Sequence, residues 1–283
     1  MQLARARRHV LVIDAGQPRN RFADHSHGVF ALDGRSGDGL LAEARAQLAA
    51  YPTIRLARGE VVQASAVDGG FLVETATGER ATGRRLILAT GIADQLPEVP
   101  GLAPRWGKTV LHCPYCHGYE IGGGPIGVLA TGPLAAHQAS LIADWGNVTL
   151  FANGMDFDAD IRAMLARRSV TIEPVRVEAI EGEAAAIAGL RLADGRLVAV
   201  KALFVAAPTR MASPLAEMLG CAFDSTPLGP IIRTDAWKLT TVAGVYAAGD
   251  AARAPQNITF ATADGVTAGV GLHHQLIADE AAA

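Results

Sequence analysis

Cysteine is scarce in this 283-residue chain: Cys113, Cys116 and Cys221 are all it has, too few for the disulfide framework of a small secreted domain. No apolar run approaches the roughly 20 residues needed to cross a bilayer, so the chain does not read as an integral membrane protein. The basic start (Arg5, Arg7, Arg8) leads only into Val10, Leu11, Val12 and Ile13 before Asp14, shorter than the apolar region of a secretory signal. The expected location is therefore the reducing cytoplasm, where a close cysteine pair is catalytic or metal-binding rather than structural. Neither sign of charge dominates: 25 Lys+Arg stand against 28 Asp+Glu, which leaves no electrostatic footprint for nucleic acid. Repeats are lacking, and so are low-complexity tracts beyond the terminal alanines. Wholesale disorder is excluded by a composition half hydrophobic and 19% charged.

What is present is enough chain for two domains, since single cores usually stop at roughly 100–200 residues. Residues 1–8 read as the end of a helix, and 9–14 as a buried strand closing on Asp14. Helical spacing marks 39–50, where Leu40, Leu41, Ala44 and Leu48 recur on one face. Short strands are expected at 54–56, 61–67, 71–75 and 85–89. Pro97, Pro100, Gly101 and Pro104 then punctuate the chain. Beyond them a strand (125–130), a helix (133–145) and a strand (148–151) make a βαβ unit, with further strands at 203–206 and 244–248 and a closing helix from about Thr262. Short apolar strands alternating with helices predict α/β domains with largely parallel sheets.

The sharpest motif is His112–Cys113–Pro114–Tyr115–Cys116–His117–Gly118–Tyr119–Glu120. A C-x-x-C pair can close a small disulfide ring, and a helix amino end or a nearby imidazolium lowers the thiol pKa. Pro114 suits a first helical position, which puts Cys113 at the cap as the exposed attacking thiol and Cys116 in the first turn as its buried partner. His112 and His117 flank the pair as candidate acid or base. Other readings stand beside this one. Zinc would need a second ligand pair, and none follows at the right spacing. C-P-Y-C-H also matches a c-type haem attachment, which needs export. Two cysteines can also simply pack; Cys221, Trp106, Trp145 and Trp237 read as packing residues, and His137, His273 and His274 as surface.

Three further features suggest a nucleotide ligand. Gly249–Asp250 ends the 244–248 strand, letting backbone and carboxylate approach a polyol or phosphate. Ala263, Asp264 and Gly265 would open the last helix, whose amino-end N–H groups favour an electron-rich atom. Asp14 sits where a dinucleotide domain places the acid for the adenosine ribose. That acid normally lies about 20 residues beyond a G-x-G-x-x-G turn, yet only 13 residues precede Asp14 and none is glycine. The first strand and its glycine turn are thus expected upstream of Met1 or absent, and whether Met1 is the true start stays open. A degraded fingerprint, Ala130–Thr131–Gly132–Pro133–Leu134–Ala135, opens the middle βαβ unit; its next strand ends at Ala152–Asn153, with neither an acid nor an arginine for a nucleotide ribose.

Together these residues resemble the low-molecular-weight thioredoxin reductase family of flavoproteins over nearly the whole chain. The C-x-x-C-H-G-Y-E string, with Gln17–Pro18–Arg19–Asn20 and His25–Ser26–His27–Gly28, is similar to the branch that includes dithiol oxidases. The resemblance implies two Rossmann-like three-layer nucleotide-binding domains, the second inserted in the first. Their expected bounds are 1–104 and 229–283 for the FAD-binding domain and 105–228 for the NAD(P)H-type domain. It further implies FAD held by Asp14, Arg19, Asn20, Thr90, Gly91, Gly249, Asp250, Ala263, Asp264 and Gly265, with Gly132 at the second nucleotide turn.

By the same resemblance Cys116 would face the flavin, Cys113 would exchange with an external disulfide, and His117 would move the proton. The activity implied is disulfide reduction, with NADPH as donor and a thioredoxin-like protein or a small disulfide as partner, in a homodimer. Two alternatives remain beside it: oxidation of a small-molecule dithiol by oxygen, and a non-catalytic remnant that has lost FAD. No metal is expected.

Overall fold

The computed structural model describes residues 1–282, which divide into two units. One comprises Met1–Arg19, Asp38–Ala93 and Thr209–Ala283; the other comprises Asn20–Gly37 and Asp94–Pro208. Among the described residues no helix is long and apolar enough to cross a membrane.

The second unit is built on a five-stranded, all-parallel sheet. Its order is Thr171–Glu173, Asn147–Phe151, Pro125–Leu129, Ala202–Val205 and Val110–Leu111. Parallel strands are covered on both faces, and the alternation of side chains shows how. Ile126, Val128, Leu150 and Phe204 face the helices Ala135–Ile142 and Ala159–Arg167. Leu129, Phe151, Leu203 and Val205 face an antiparallel layer of Val177–Glu181, Gly189–Leu192 and Leu197–Ala199. Gly127 lies mid-strand because a Cβ there would sit 2.8 Å from Leu203 Cδ1 and 3.0 Å from the Phe151 ring. The antiparallel layer has no forecast in the sequence, because its strands are short and partly polar.

The first unit joins several small sheets. Val10–Asp14 pairs in parallel with Ile54–Arg58, and Leu86–Leu88 with Val245–Ala247. Val61–Val67, Gly70–Thr75 and Arg80–Gly83 form an antiparallel meander. Phe71, Leu88, Ile92, Ile232, Val245 and Ala247 fill one core, while Tyr246, Ala268, Leu272 and Leu276 fill another beneath the closing helix Ile258–Ala282.

Two expectations are revised here. The strand ending at Asp14 is only half-buried, Leu11 being 40% exposed, and no residue of the helix Gly37–Ala49 is buried. A two-stranded sheet cannot shelter both faces of an apolar strand. The closing helix also starts at Ile258, not near Thr262: Asn257 Oδ1 accepts the Phe260 N–H at 2.7 Å, an N-cap that the run of small residues conceals.

Candidate redox site

The parallel strand Val110–Leu111 delivers the chain to His112, and a helix, Pro114–Ile121, begins at once. Cys113 takes the N-cap with extended backbone (φ −108°, ψ 116°) and Pro114 the first helical turn, the position where its missing N–H costs nothing. Gly122 ends the helix in the left-handed region (φ 67°). Helical closure brings Cys113 and Cys116 to a Cα–Cα distance of 5.3 Å, and they form a disulfide. Both are part-buried, so exposure does not divide attacking thiol from partner.

The supports of this helix come from distant sequence. Gly118 lies against the indole of Trp145, where a Cβ would fall 2.7 Å from Cδ1. The Tyr115 ring meets the same indole edge-on, with centroids 5.4 Å apart. Gln138, buried on the helix Ala135–Ile142, donates from Nε2 to the His112 carbonyl at 3.0 Å, while Nδ1 of His112 lies 3.3 Å from the Val205 carbonyl. His117 is half-buried; burial pushes its pKa below the usual imidazole range, Glu120 opposes this, and His27 adds to it. Among the described residues no cluster suited to a metal occurs. Sequence reasoning missed Gln138, Glu120 and the packing role of Gly118; only the glycine inside a predicted helix could have signalled the last.

In the same unit, Gly132 follows the strand Pro125–Leu129 with open space where a Cβ would stand. Asn153, after the neighbouring strand, accepts the Val177 N–H through Oδ1 at 3.2 Å. Asn20 donates to Ser26 Oγ at 3.4 Å, also within this unit.

The first unit gathers the other candidates at the carboxyl ends of its parallel strands, the end where open α/β sheets present loops to ligands. Asp14 accepts the Gly16 N–H at 2.7 Å and Arg45 Nη2 at 2.5 Å. The Arg45 hydrogen bond chiefly holds its carboxyl below the usual range. Thr90 and Gly91 follow Leu86–Leu88; Gly91 has φ 68° and open space at its Cβ position. Gly249 (φ 74°) and Asp250 follow Val245–Ala247 in a 3-10 turn. Arg19 reaches this turn, 3.4 Å from Asp250 Oδ2 and 2.6 Å from Gln256 Oε1, so two residues 231 apart in sequence meet.

Ala263, Asp264 and Gly265 lie in the second turn of the closing helix, so its free amino-end N–H groups belong to earlier residues. Asp264 is buried at 1% exposure, held by Arg253 at 2.5 and 3.0 Å and by Lys238 at 3.0 Å. Burial pushes its carboxyl up, but the two cations outweigh burial and leave it below the usual range. Its oxygens are thus engaged in an internal ion cluster. Arg45, Gln256, Arg253 and Lys238 carried no spacing signal in the sequence.

The family model described as pyridine nucleotide-disulphide oxidoreductase matches residues 35–265. The thioredoxin reductase tcpT of Claviceps purpurea is 32% identical over 293 residues, covering 99% of this chain and 90% of that protein. A solved oxidoreductase of Agrobacterium tumefaciens is 46% identical with a TM-score of 0.93, over 98% of this chain and 92% of that one. Thioredoxin reductase from Streptococcus pyogenes, 21% identical with a TM-score of 0.86 over 98% and 93%, shares the fold. That fold is mixed α/β with two Rossmann-like domains.

Proposed function

Since the chain belongs to the pyridine nucleotide-disulphide oxidoreductases and is thioredoxin reductase-like, we propose that it is an FAD-dependent enzyme moving electron pairs between a flavin and external thiols through Cys113–Cys116. The single observation that carries this reading is the disulfide at the amino end of the helix Pro114–Ile121, with Cys113 at the N-cap position. A helix amino end stabilises thiolate, so the pair is suited to exchange rather than to structural cross-linking. Cys113 takes the external sulfur, Cys116 leaves as thiolate, and the neighbouring His117, held toward its neutral form by burial, accepts the proton.

The residues at the strand ends of the first unit fit a flavin dinucleotide. Gly91 offers a backbone face with nothing within 4 Å of a would-be Cβ. Asp250 and Arg19 supply paired polar groups, and the amino end of Ile258–Ala282 supplies free N–H groups. Asp14, Thr90 and Gly249 complete the set, with Asn20 after Arg19 in the chain. Bound FAD supplies a two-electron acceptor and donor. The protein's part is to hold it, to keep the disulfide on a rigid helix and to manage protons.

Two directions follow. With NADPH as donor at the Gly132 turn the enzyme reduces a disulfide, that of a thioredoxin-like protein among the substrates. A second reading, oxidation of a small dithiol by oxygen, is favoured by the end of Asn147–Phe151: Ala152 and Asn153 follow it, and the Asn153 side chain is committed to Val177. Neither Ala152 nor Asn153 is itself a basic residue that could meet a 2′-phosphate. The test is anaerobic titration of the FAD-loaded protein. Bleaching by NADPH supports the reductase; bleaching by a dithiol but not by NADPH supports the oxidase. Cys116→Ser must abolish bleaching by the dithiol, and a fully active serine variant would overturn the proposal.

A further inference from the structure

Residues Asn20–Gly37 and the redox helix face one another across an open cavity of about 370 Å³. The titratable residues of its lining are Asp24, His25, His27, Lys108, His117 and Glu120. Close packing fixes the loop at one end: Gly107, with φ 74°, leaves the space where a Cβ would fall 2.6 Å from that of Phe22. The ion pair between Lys108 and Asp24 adds a second anchor. The loop thereby presents His27, whose Nδ1 lies 3.5 Å from Glu120 Oε1 and 3.6 Å from Asp33 Oδ2. Glu120 projects from the same helix as His117, three residues on, where side chains share a face.

We propose that Glu120 and His27 are positioning residues that carry protons between His117 and solvent in this cavity while thiol–disulfide exchange proceeds at Cys113–Cys116, an inference that rests on the redox reading of that pair. The chemistry requires such an outlet. When a dithiol reduces the pair, its first sulfur bonds to Sγ of Cys113 and the Cys113–Cys116 bond breaks, leaving the electron pair on Cys116. The second sulfur then displaces Cys113, and the donor departs as a disulfide. Two electrons stay on the cysteines, and two protons leave the donor. Each proton taken up by His117, the residue after Cys116 in the chain, must move on before the imidazole can act again.

Glu120 is exposed and is the carboxylate acting on His117; His27 is the second base facing both. A spacing of 3.5 Å is a charge contact rather than a direct hydrogen bond, so the protons cross through the solvent of the cavity. His25, whose ring centroid is 6.5 Å from that of His27, and the Asp24–Lys108 pair complete the charged groups that face this route.

The test follows the disulfide itself and needs no flavin. Reduction by dithiothreitol is quenched with an alkylating reagent at intervals between pH 5 and 9, and the mass shift gives the exchange rate. His117 is titrated in parallel by NMR. Glu120→Gln is expected to slow exchange about tenfold at neutral pH, short of the ~10²-fold at the low end of general acid–base catalysis, and Glu120→Asp to restore most of it. The two positioning variants should also move His117 in opposite directions: Glu120→Gln lowers its pKa by removing a favourable charge, whereas His27→Asn raises it. Loosened packing alone would not produce opposed shifts. Rates within twofold of wild type with an unmoved His117 titration would overturn the relay. If the wild-type disulfide is reduced no faster than that of an unstructured peptide carrying Cys113–Cys116, the redox reading itself falls, and the relay with it.

Discussion

Gly118→Ala sets two physical effects against each other inside the redox helix. In a helix interior alanine is favoured over glycine by about 1 kcal/mol, so the sequence taken alone predicts a more stable protein. The structure predicts the reverse. The new Cβ would fall 2.7 Å from Trp145 Cδ1 and 2.8 Å from Nε1. A rigid indole cannot yield as the tip of a lysine would, and overpacking of this kind costs about 1–3 kcal/mol. The net expectation is a loss of about 1 kcal/mol, seen as a fall of roughly 2–4 °C in Tm for a protein of this size.

The decisive assay is a double-mutant cycle with Trp145→Leu, which removes the obstructing ring. In that background Gly118→Ala should become stabilising by about 0.5–1 kcal/mol, leaving a coupling of about 1.5–2 kcal/mol between the two positions. Because Tyr115 rests on the same indole, the single variant should also alter the reduction rate of Cys113–Cys116. Refutation is simple: a Gly118→Ala protein with raised Tm in the native Trp145 background means that the packing described here is wrong.

Asp264→Asn leaves Arg253 and Lys238 facing a neutral amide at a position 1% exposed. Removing one partner of a buried ion cluster costs about 3–5 kcal/mol, discounted to about 2–3 here because Arg253 is partly hydrated. Urea unfolding should report that loss at pH 7, and an unchanged midpoint would refute the cluster's role. At the surface, Glu280 is paired with Arg8 and Arg84, which hold its carboxyl down at about 2 against an ordinary 4.5. A lowered folded-state pKa means stability that is complete above the unfolded value and is lost as pH falls through the folded one. Tm should therefore decline between pH 4.5 and about 2, and Glu280→Gln should flatten that part of the curve. High salt should weaken the effect, since the groups are exposed.

Much of the redox helix could be read from local chemistry. A cysteine able to cap, a proline suited to the first turn and a glycine at the end are signals carried by the residues themselves, and Cys113, Pro114 and Gly122 occupy those places. Three of the five parallel strands of the second unit, those at 125–130, 148–151 and 203–206, were equally visible, because a strand buried on both faces must be apolar throughout. The short edge strands Val110–Leu111 and Thr171–Glu173 were not. The helix Ile258–Ala282 was misjudged at its start: its cap is one side-chain bond from Asn257, and small residues on every face blur the helical period. Nothing in the spacing indicated that Arg45 would hold Asp14, that Gln138 would hold the His112 carbonyl, or that Arg19 would meet Asp250.

The sequence by itself thus determined the class of fold, the thiol couple and the helix that carries it, because periodicity, capping and a short disulfide ring depend on neighbours in the chain. Only the tertiary structure decided which groups surround that couple. The loop Asn20–Gly37 joins the unit of the redox helix although some 75 residues of chain separate them, and His27 thereby faces Glu120. Charge and packing act through space over a few ångströms, and distance along the chain does not reveal which residues share that space.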